Sequence, residues 1–577
     1  MTRQVSGTTP ANNQSSIARR FFGIGVVVSV SLLIGACTTE REDPATAETR
    51  SSRPNILLIM ADDLGYTDIG AFGSEIRTPN IDALATTGLS LTNFYAAPTC
   101  SPARAMLLAG MDNHFTGFGT MAEHTAVNQR GQPGFEGMLS EDLVTVATLL
   151  NDVGYHTYLA GKWHIGQTPG TRPHERGFER SFALMQGGAS HFADMKRMLS
   201  VYPETVYLDD GAKVESLPDD FYSSAFYTDR IIENIDANKN DGSPFFAWLA
   251  FTAPHWPLQV PAEYLDLYDG VYDEGYDIVR QRRLEGAKVS GLVPSDVDEF
   301  PRLPRVTPWD ELTDEEQRRS ARAMEIYAAM VERLDFHVGR LIAYLKDNDL
   351  YDNTLIVFMS DNGAEGNDRM HILDNETWVP ANHDLSYGNL GRVDSYAFQG
   401  PGWGQVSSAP LRLFKAYVTE GGMRVPVIVN YEGNANTGSF DTSVATIQDL
   451  APTFLELAET EHPGTSYDGR TVRPMTGRSL LPLLTGRVDR VYGRDEVLGW
   501  ELFGHRALRQ GDWKLLWADG KNGSDTWQLY DIASDPREVV DLAASEPEKL
   551  QEMIALWEEY AAGNNVILPI GDIGSPN

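Results

Sequence analysis

Two short polar pairs stand far apart in this sequence, Asp62-Asp63 and Asp361-Asn362, each directly after an apolar run. Acids at a strand end ordinarily just face solvent. Taken together, however, the two pairs supply three carboxylates and an amide oxygen, all hard oxygen donors. Such a set suits one calcium ion, which accepts about six to eight oxygens in loose geometry. It suits zinc poorly, because Asp361 is followed by Asn362 and not by the histidine of an Asp-His ligand pair. Cys100, in Cys100-Ser101-Pro102-Ala103-Arg104, is a candidate nucleophile. The stretch from Ser101 predicts a helix start with Pro102 in its first turn, so residue 100 faces free backbone N–H groups that favour an anion. Arg104, one turn inside, is within reach to hold that anion. An isolated cysteine before a helix is commonly a buried thiol, and only the residues around this one argue for more. Lys162 and His164 (in Gly161-Lys162-Trp163-His164), His255 (in Ala253-Pro254-His255-Trp256-Pro257) and Lys415 (in Leu413-Phe414-Lys415-Ala416) add cations and proton carriers.

These residues need a scaffold that brings distant segments together. The run Asn55–Ala61 is continuously apolar, as expected of a strand buried on both faces of a parallel sheet. Further strands are predicted over 89–96, 155–160, 245–251 and 355–359. Helices are predicted from Pro79 to a stop at Gly88, over 144–153, and over 314–348, where Met324, Ile326, Tyr327 and Met330 at helical spacing are core positions. Strand–helix alternation implies a parallel α/β sheet covered on both faces. The candidates fall just past strand C-termini, where open α/β sheets bind ligands. The segment from about 365 to 410 is polar, Gly-rich and weakly periodic, long enough to be a functional loop or lid. After residues 426–430 and a helix near 446–457, short alternating segments (506–509, 513–517, 527–530) and a helix over 547–561 predict a smaller domain with an antiparallel sheet.

The pentapeptide from Cys100 to Arg104, with the small-hydrophobic stretch to Gly110, resembles the C-x-P-x-R signature of type I sulfatases, and Gly161–His164 resembles that family's G-K-W-H segment. The resemblance runs from about Arg53 to Ala561 and is closest to bacterial arylsulfatases of the pseudomonad type, through Gly119–Glu123, Ala323–Arg333 and Gly499–Phe503. It departs in the loop 366–405 and in the N-terminal segment. It implies an α/β, alkaline-phosphatase-like fold: a large mixed, mostly parallel sheet sandwiched by helices, plus a smaller C-terminal domain with an antiparallel sheet and a helix. It also implies oxidation of Cys100 to formylglycine by a maturation enzyme. The hydrated aldehyde then offers one hydroxyl to attack sulfur and a second whose deprotonation expels sulfate. One calcium ion is held by Asp62, Asp63, Asp361 and Asn362. Arg104, Lys162, His255 and Lys415 surround the sulfate; His255 or Lys415 protonates the leaving oxygen, and His164 is the base that expels sulfate. The substrate is then a small sulfate ester. A carbohydrate sulfatase, a phosphodiesterase or phosphonate monoester hydrolase of the same superfamily, and a non-enzymatic surface lipoprotein are the alternatives.

Composition bounds the partners. Asp and Glu outnumber Lys and Arg by 81 to 47, a formal charge of −34, which argues against nucleic acid. An anionic substrate must therefore be drawn by a local positive pocket. The N-terminus predicts an export signal: Arg3, Arg19 and Arg20, then an apolar run from Phe21 to Ala36 that is shorter than the ~20 residues of a membrane span. Removing that signal's three arginines takes the formal charge from −34 to −37. Leu33–Cys37 resembles a bacterial lipobox, which implies a lipid anchor at Cys37 and a periplasmic or cell-surface protein; a plain signal peptide with Cys37 incidental is the other reading. The expected organisation is a signal over 1–36, a tether over 37–53, a catalytic domain over 54–435, and the end of the large domain with the smaller domain over 436–577. With Cys37 and Cys100 each in its own motif, no disulfide is expected.

Overall fold

The computed structural model describes residues 53–520 and 523–571, and the export segment with Cys37 lies outside them. The described residues form one compact unit. Its frame is a ten-stranded sheet. In chain order the strands are β1 (Asn55–Ala61), β2 (Leu89–Tyr95), β3 (His156–Lys162), β4 (Arg180–Leu184), β5 (Tyr207–Asp209), β6 (Ala212–Lys213), β7 (Phe245–Ala250), β8 (Thr354–Ser360), β9 (Val427–Asn430) and β10 (Ser439–Thr446). Across the sheet they run β10-β2-β9-β8-β1-β7-β3-β4-β5-β6. The centre, β8-β1-β7-β3-β4, is parallel throughout, while β9 and β5 run antiparallel to their neighbours.

Strand β1 shows why the apolar runs are continuous. Leu57, Ile59 and Ala61 enter the core on one face, and Ile56, Leu58 and Met60 the core on the other. Alternation sends successive side chains to opposite faces, so a strand covered on both sides must be apolar at every position. One layer includes the helices Pro79–Thr87, Ser223–Asn238 and Asp314–Asp347; the other includes Cys100–Ala109, Val146–Asp152 and Leu450–Leu457. The long helix opens with a capping box, in which the Thr313 hydroxyl accepts from the Glu316 N–H at 3.3 Å. Met324, Ile326, Tyr327 and Met330 are buried along it.

The expected strands all form, with shifted ends. Strand β3 runs through Gly161 and Lys162, so the lysine is held by the sheet ladder and not by a loop. The region near residue 446 holds an edge strand, β10, before its helix begins at Leu450; its polar SFDTSVAT sequence carries no buried-strand signal because one edge is open.

The smaller antiparallel sheet pairs Val497–Leu502, His505–Gln510, Trp513–Trp517 and Trp527–Asp531 in sequence order. One face takes the helix Pro547–Gly563 through Met553 and Trp557. The opposite face meets Tyr95, Val418 and Met423 of the larger layer. Polar contacts lock this junction. Lys514 Nζ lies 2.7 Å from both Glu420 Oε1 and Glu538 Oε1, and the Tyr95 hydroxyl donates to Glu420 Oε2 at 2.7 Å. Nearby, buried His114 reaches Asp112 through Nδ1 (2.8 Å) and Glu501 through Nε2 (3.2 Å).

Two outcomes follow from these buried charges. Lys514→Met leaves Glu420 and Glu538 facing each other without their cation, and should cost about 3–5 kcal/mol in denaturant unfolding. Burial lowers the His114 pKa, but the two carboxylates outweigh it and lift it from 6.5 to about 9. The folded protein then holds a proton that the unfolded chain releases. That stability is complete below pH 6.5 and is lost as pH rises through about 9. His114→Gln should flatten the fall in stability across that window.

Candidate active site

Four neighbouring parallel strands deliver the candidates to one edge. In the order β8-β1-β7-β3, their C-terminal ends carry Asp361-Asn362, Asp62-Asp63, His255 and Lys162-His164. Adjacent strands lie about 4.8 Å apart, so residues distant in sequence become lateral neighbours. Cys100 arrives from the segment after β2, at the first position of the helix Cys100–Ala109, and Lys415 from the loop before β9.

Asp63 is the hub. The Lys415 Nζ lies 2.7 Å from its Oδ1, and Asn362 Nδ2 donates to the same oxygen at 2.7 Å. His255 Nε2 is 3.5 Å from Oδ2, and the Asp63 backbone N–H points at Asp361 Oδ1 at 3.3 Å. Asp62 takes the Lys162 ammonium on both oxygens, at 2.9 and 2.7 Å. Arg104 donates from Nε to Asp361 Oδ2 at 2.9 Å and from a terminal nitrogen to the Lys162 carbonyl at 2.8 Å. The Cys100 thiol sits 3.4 Å from Asp62 Oδ1 and 3.7 Å from Asp63 Oδ1. All ten candidates are buried.

Burial sets the proton chemistry. It lifts the Asp62 carboxyl to about 7 against the pull of Lys162. It would lift Asp63 too, but Lys415 and Lys162 outweigh it and hold that carboxyl below its ordinary value. It pushes the Cys100 thiol far up, so the encoded cysteine is no thiolate nucleophile at neutral pH. His255 donates toward the Trp256 carbonyl at 2.5 Å from Nδ1. Both its nitrogens thus face acceptors, a setting that favours the cation. Burial, with Lys415 and Lys162 nearby, opposes it and holds the pKa well below 6.5. A 3.5 Å approach to Asp63 is too long to offset burial, so the ring is neutral.

The oxygen donors fit a hard cation. Asn362 Oδ1 is buried with no hydrogen-bond partner while its Nδ2 is engaged, an orphan acceptor of the kind a metal satisfies. Atoms of Asp62, Asp63, Cys100 and His255 also lie within 4.8 Å of one another. The Asp and Asn oxygens, joined by Asp361, make the set oxygen-rich.

A cavity of about 40 Å³ opens at Cys100, His164, His255 and Lys415. Arg104 and Lys162 do not line it; they stand behind it, bracing Asp361 and Asp62. Its other walls include Met121, Glu123, Met198, Tyr202, Arg369 and Ile372, none of them a site candidate from the sequence, although Met121 and Glu123 fall in the family-like segment Gly119–Glu123. The segment 366–405 thus supplies a wall, with Arg369 stacked 5.1 Å over the Trp256 ring and paired with Glu365. A larger cleft of about 700 Å³, beside Tyr95 and Arg509, contains none of the ten candidates.

The chain is similar to known proteins along most of its length. The Sulfatase family model matches residues 54–460, and the model for the C-terminal region of N-sulphoglucosamine sulphohydrolase matches residues 412–561. An uncharacterized sulfatase of Schizosaccharomyces pombe is 42% identical over 542 residues, covering 92% of this chain and 97% of that protein. An arylsulfatase of Klebsiella aerogenes is 39% identical over 460 residues, covering 79% and 95%. Among solved structures, Ps i-CgsB in complex with k-i-k-neocarrahexaose superposes with a TM-score of 0.64 at 26% identity, covering 89% of this chain and 94% of that one.

If these donors hold a cation, a hard divalent ion should stabilise the fold. Saturation at about 100 times its dissociation constant adds about 2.7 kcal/mol, read as a rise in unfolding temperature. Asp361→Asn should abolish the rise.

Proposed function

This chain belongs to the sulfatase family and hydrolyses sulfate esters, and on that premise we propose that it is a formylglycine- and calcium-dependent sulfatase of arylsulfatase type, exported and anchored through Cys37. The observation that carries the mechanism is the meeting of Asp62, Asp63, Asp361, Lys415 and Cys100 at one sheet edge.

Residue 100, oxidised to formylglycine by a maturation enzyme, supplies a hydrated aldehyde whose hydroxyl attacks sulfur. Calcium, held by Asp62, Asp63, Asp361 and Asn362, supplies a fixed positive charge that favours ionised carboxylates and acidifies bound hydroxyls. The chain's own residues do the rest. Cys100 Sγ marks the position of the reactive oxygen, so Asp62 and Asp63 already sit within reach of it. Lys415 and His255 lie on the cavity wall; the Lys415 ammonium binds a sulfate oxygen and hands a proton to the leaving oxygen, while the neutral His255 ring keeps its Nδ1 proton on the Trp256 carbonyl. Lys162 and Arg104 fix the carboxylates from behind. His164, on the same wall, takes the proton from the hydroxyl whose loss expels sulfate.

Aryl esters are favoured by the wall itself. Met121, Met198, Leu199, Trp256 and Ile372 surround the opening, an apolar setting for an aromatic leaving group. A carbohydrate sulfatase is the second reading, supported by the likeness to the carrageenan-oligosaccharide complex. Rates on aryl, alkyl and sugar sulfates, with a phosphate diester beside them, separate these readings.

The decisive test is at residue 100. Co-expression with a maturation enzyme should convert the peptide containing Cys100 to the aldehyde, visible by mass spectrometry. Cys100→Ala should lower kcat by at least about 10⁴-fold, the scale of losing a catalytic nucleophile. Full turnover by Cys100→Ala would end the proposal.

A further inference from the structure

His164 is held by groups that the reaction, as described, leaves unused. It follows β3 with φ 61°, a left-handed conformation uncommon for residues other than glycine. Its ring lies against Gly187, where a Cβ atom would come within 2.7 Å of the imidazole Cε1; the bare glycine leaves the ring just this slot. Nε2 faces Glu123 Oε1 at 3.6 Å, and the Tyr202 hydroxyl donates to that same oxygen. Nδ1 is buried and has no partner. Glu123, Tyr202 and His164 share the cavity wall with Cys100.

We propose that Glu123 is a positioning residue for His164: its carboxylate accepts the Nε2 proton, which leaves the lone pair on Nδ1 to receive the proton in the step that releases sulfate. The proposal rests on the assignment of His164 as that base. A distance of 3.6 Å is longer than a formed hydrogen bond, and catalytic contacts of this kind commonly tighten when substrate binds. Tyr202 fixes the carboxylate, as an outer partner does for a working imidazole. The proton balance is simple. One proton leaves the hydroxyl for Nδ1 as that oxygen forms the aldehyde C=O and the C–O bond to sulfate breaks, its electron pair leaving with sulfate. The imidazolium forms beside an anionic Glu123, and the ring then returns the proton to solvent.

The charges around the ring agree with this order of events. Burial, Lys162 and Arg104 push the His164 pKa down while Glu123 pulls it up, and the balance falls at about 4. The ring is therefore neutral and able to accept. Burial disfavours a charged Glu123, but His164 and Tyr202 outweigh it and keep the carboxyl ionised. An anion is in place before the cation it will stabilise exists.

The test uses the matured full chain with para-nitrophenyl sulfate, comparing the parent with Glu123→Ala, Glu123→Gln, Tyr202→Phe and His164→Ala. Glu123→Ala should lower kcat about 10- to 100-fold and lower KM with it, leaving kcat/KM within about threefold of the parent. Because the lost help belongs to a step after the alcohol departs, the time course should become a burst of nitrophenol followed by slow turnover. Glu123→Gln keeps an oxygen for the Nε2 proton and should recover most of kcat. If Glu123→Ala does not fold, Tyr202→Phe carries the same expectation of a burst and a lower kcat. A merely structural loss would lower the fraction of active protein without creating a burst. Parent-like kcat in Glu123→Ala, beside a His164→Ala that stalls after its burst, overturns the proposal alone. A rise in KM at constant kcat also overturns it, since the carboxylate would then touch substrate. Parent-like turnover in His164→Ala removes the base assignment itself.

Discussion

Asp63 accepts an ammonium, an amide N–H and the approach of an imidazole within one buried site. A carboxylate with no water around it is tolerated only when it is paired and hydrogen-bonded, so each of those neighbours is constrained by it. Lys415 comes from a loop with little regular structure and His255 from the turn after β7, yet both are fixed because they answer the same charge. Asp63 also has φ 65°, which turns its side chain away from the line of β1. The chain adopts that backbone where the sheet edge over-determines it.

The parallel register makes such a hub possible. Had β1, β7, β3 and β8 alternated in direction, half of the candidates would lie at the opposite end of the sheet. Hydrogen-bonded parallel neighbours put every strand exit on one side, and the paired burial on both faces keeps the strands from slipping. The smaller domain contributes through Glu420, five residues after Lys415, which is gripped by Lys514 and Tyr95. A loop without its own ladder is thereby tied to two sheets, and the ammonium at residue 415 inherits that rigidity.

Legibility in the sequence followed the same physics. Strand β1 could be read because burial on both faces demands an unbroken apolar run, and Asp62-Asp63 stood out because charge follows it abruptly. The edge strand β10 could not, since half-exposed backbone tolerates polar residues. Site residues on strand exits or in dense motifs were visible one by one. Glu123, Tyr202 and Arg369 were not read as site residues: Glu123 and Arg369 sit in three-residue 3-10 turns and Tyr202 in irregular chain, and only the fold brings them to the cavity. Gly187 is silent for another reason. Its meaning is the absence of a side chain beside His164, which no local pattern records.

The acidity of the whole chain sharpens what the site must do. At a formal charge of −34, the global field repels a sulfate ester, so attraction has to come from within a few ångströms. Around the cavity, Arg104, Lys162, Lys415 and Arg369 face Asp62, Asp63, Asp361, Glu365 and Glu123, four cations against five carboxylates. Protein side chains alone therefore give a site near neutrality, well suited to staying folded and poorly suited to drawing an anion. A bound dication would tip that balance positive without moving a residue. The arrangement separates the two requirements: paired side chains keep the buried cluster stable, and the ion would supply the attraction that brings the substrate in.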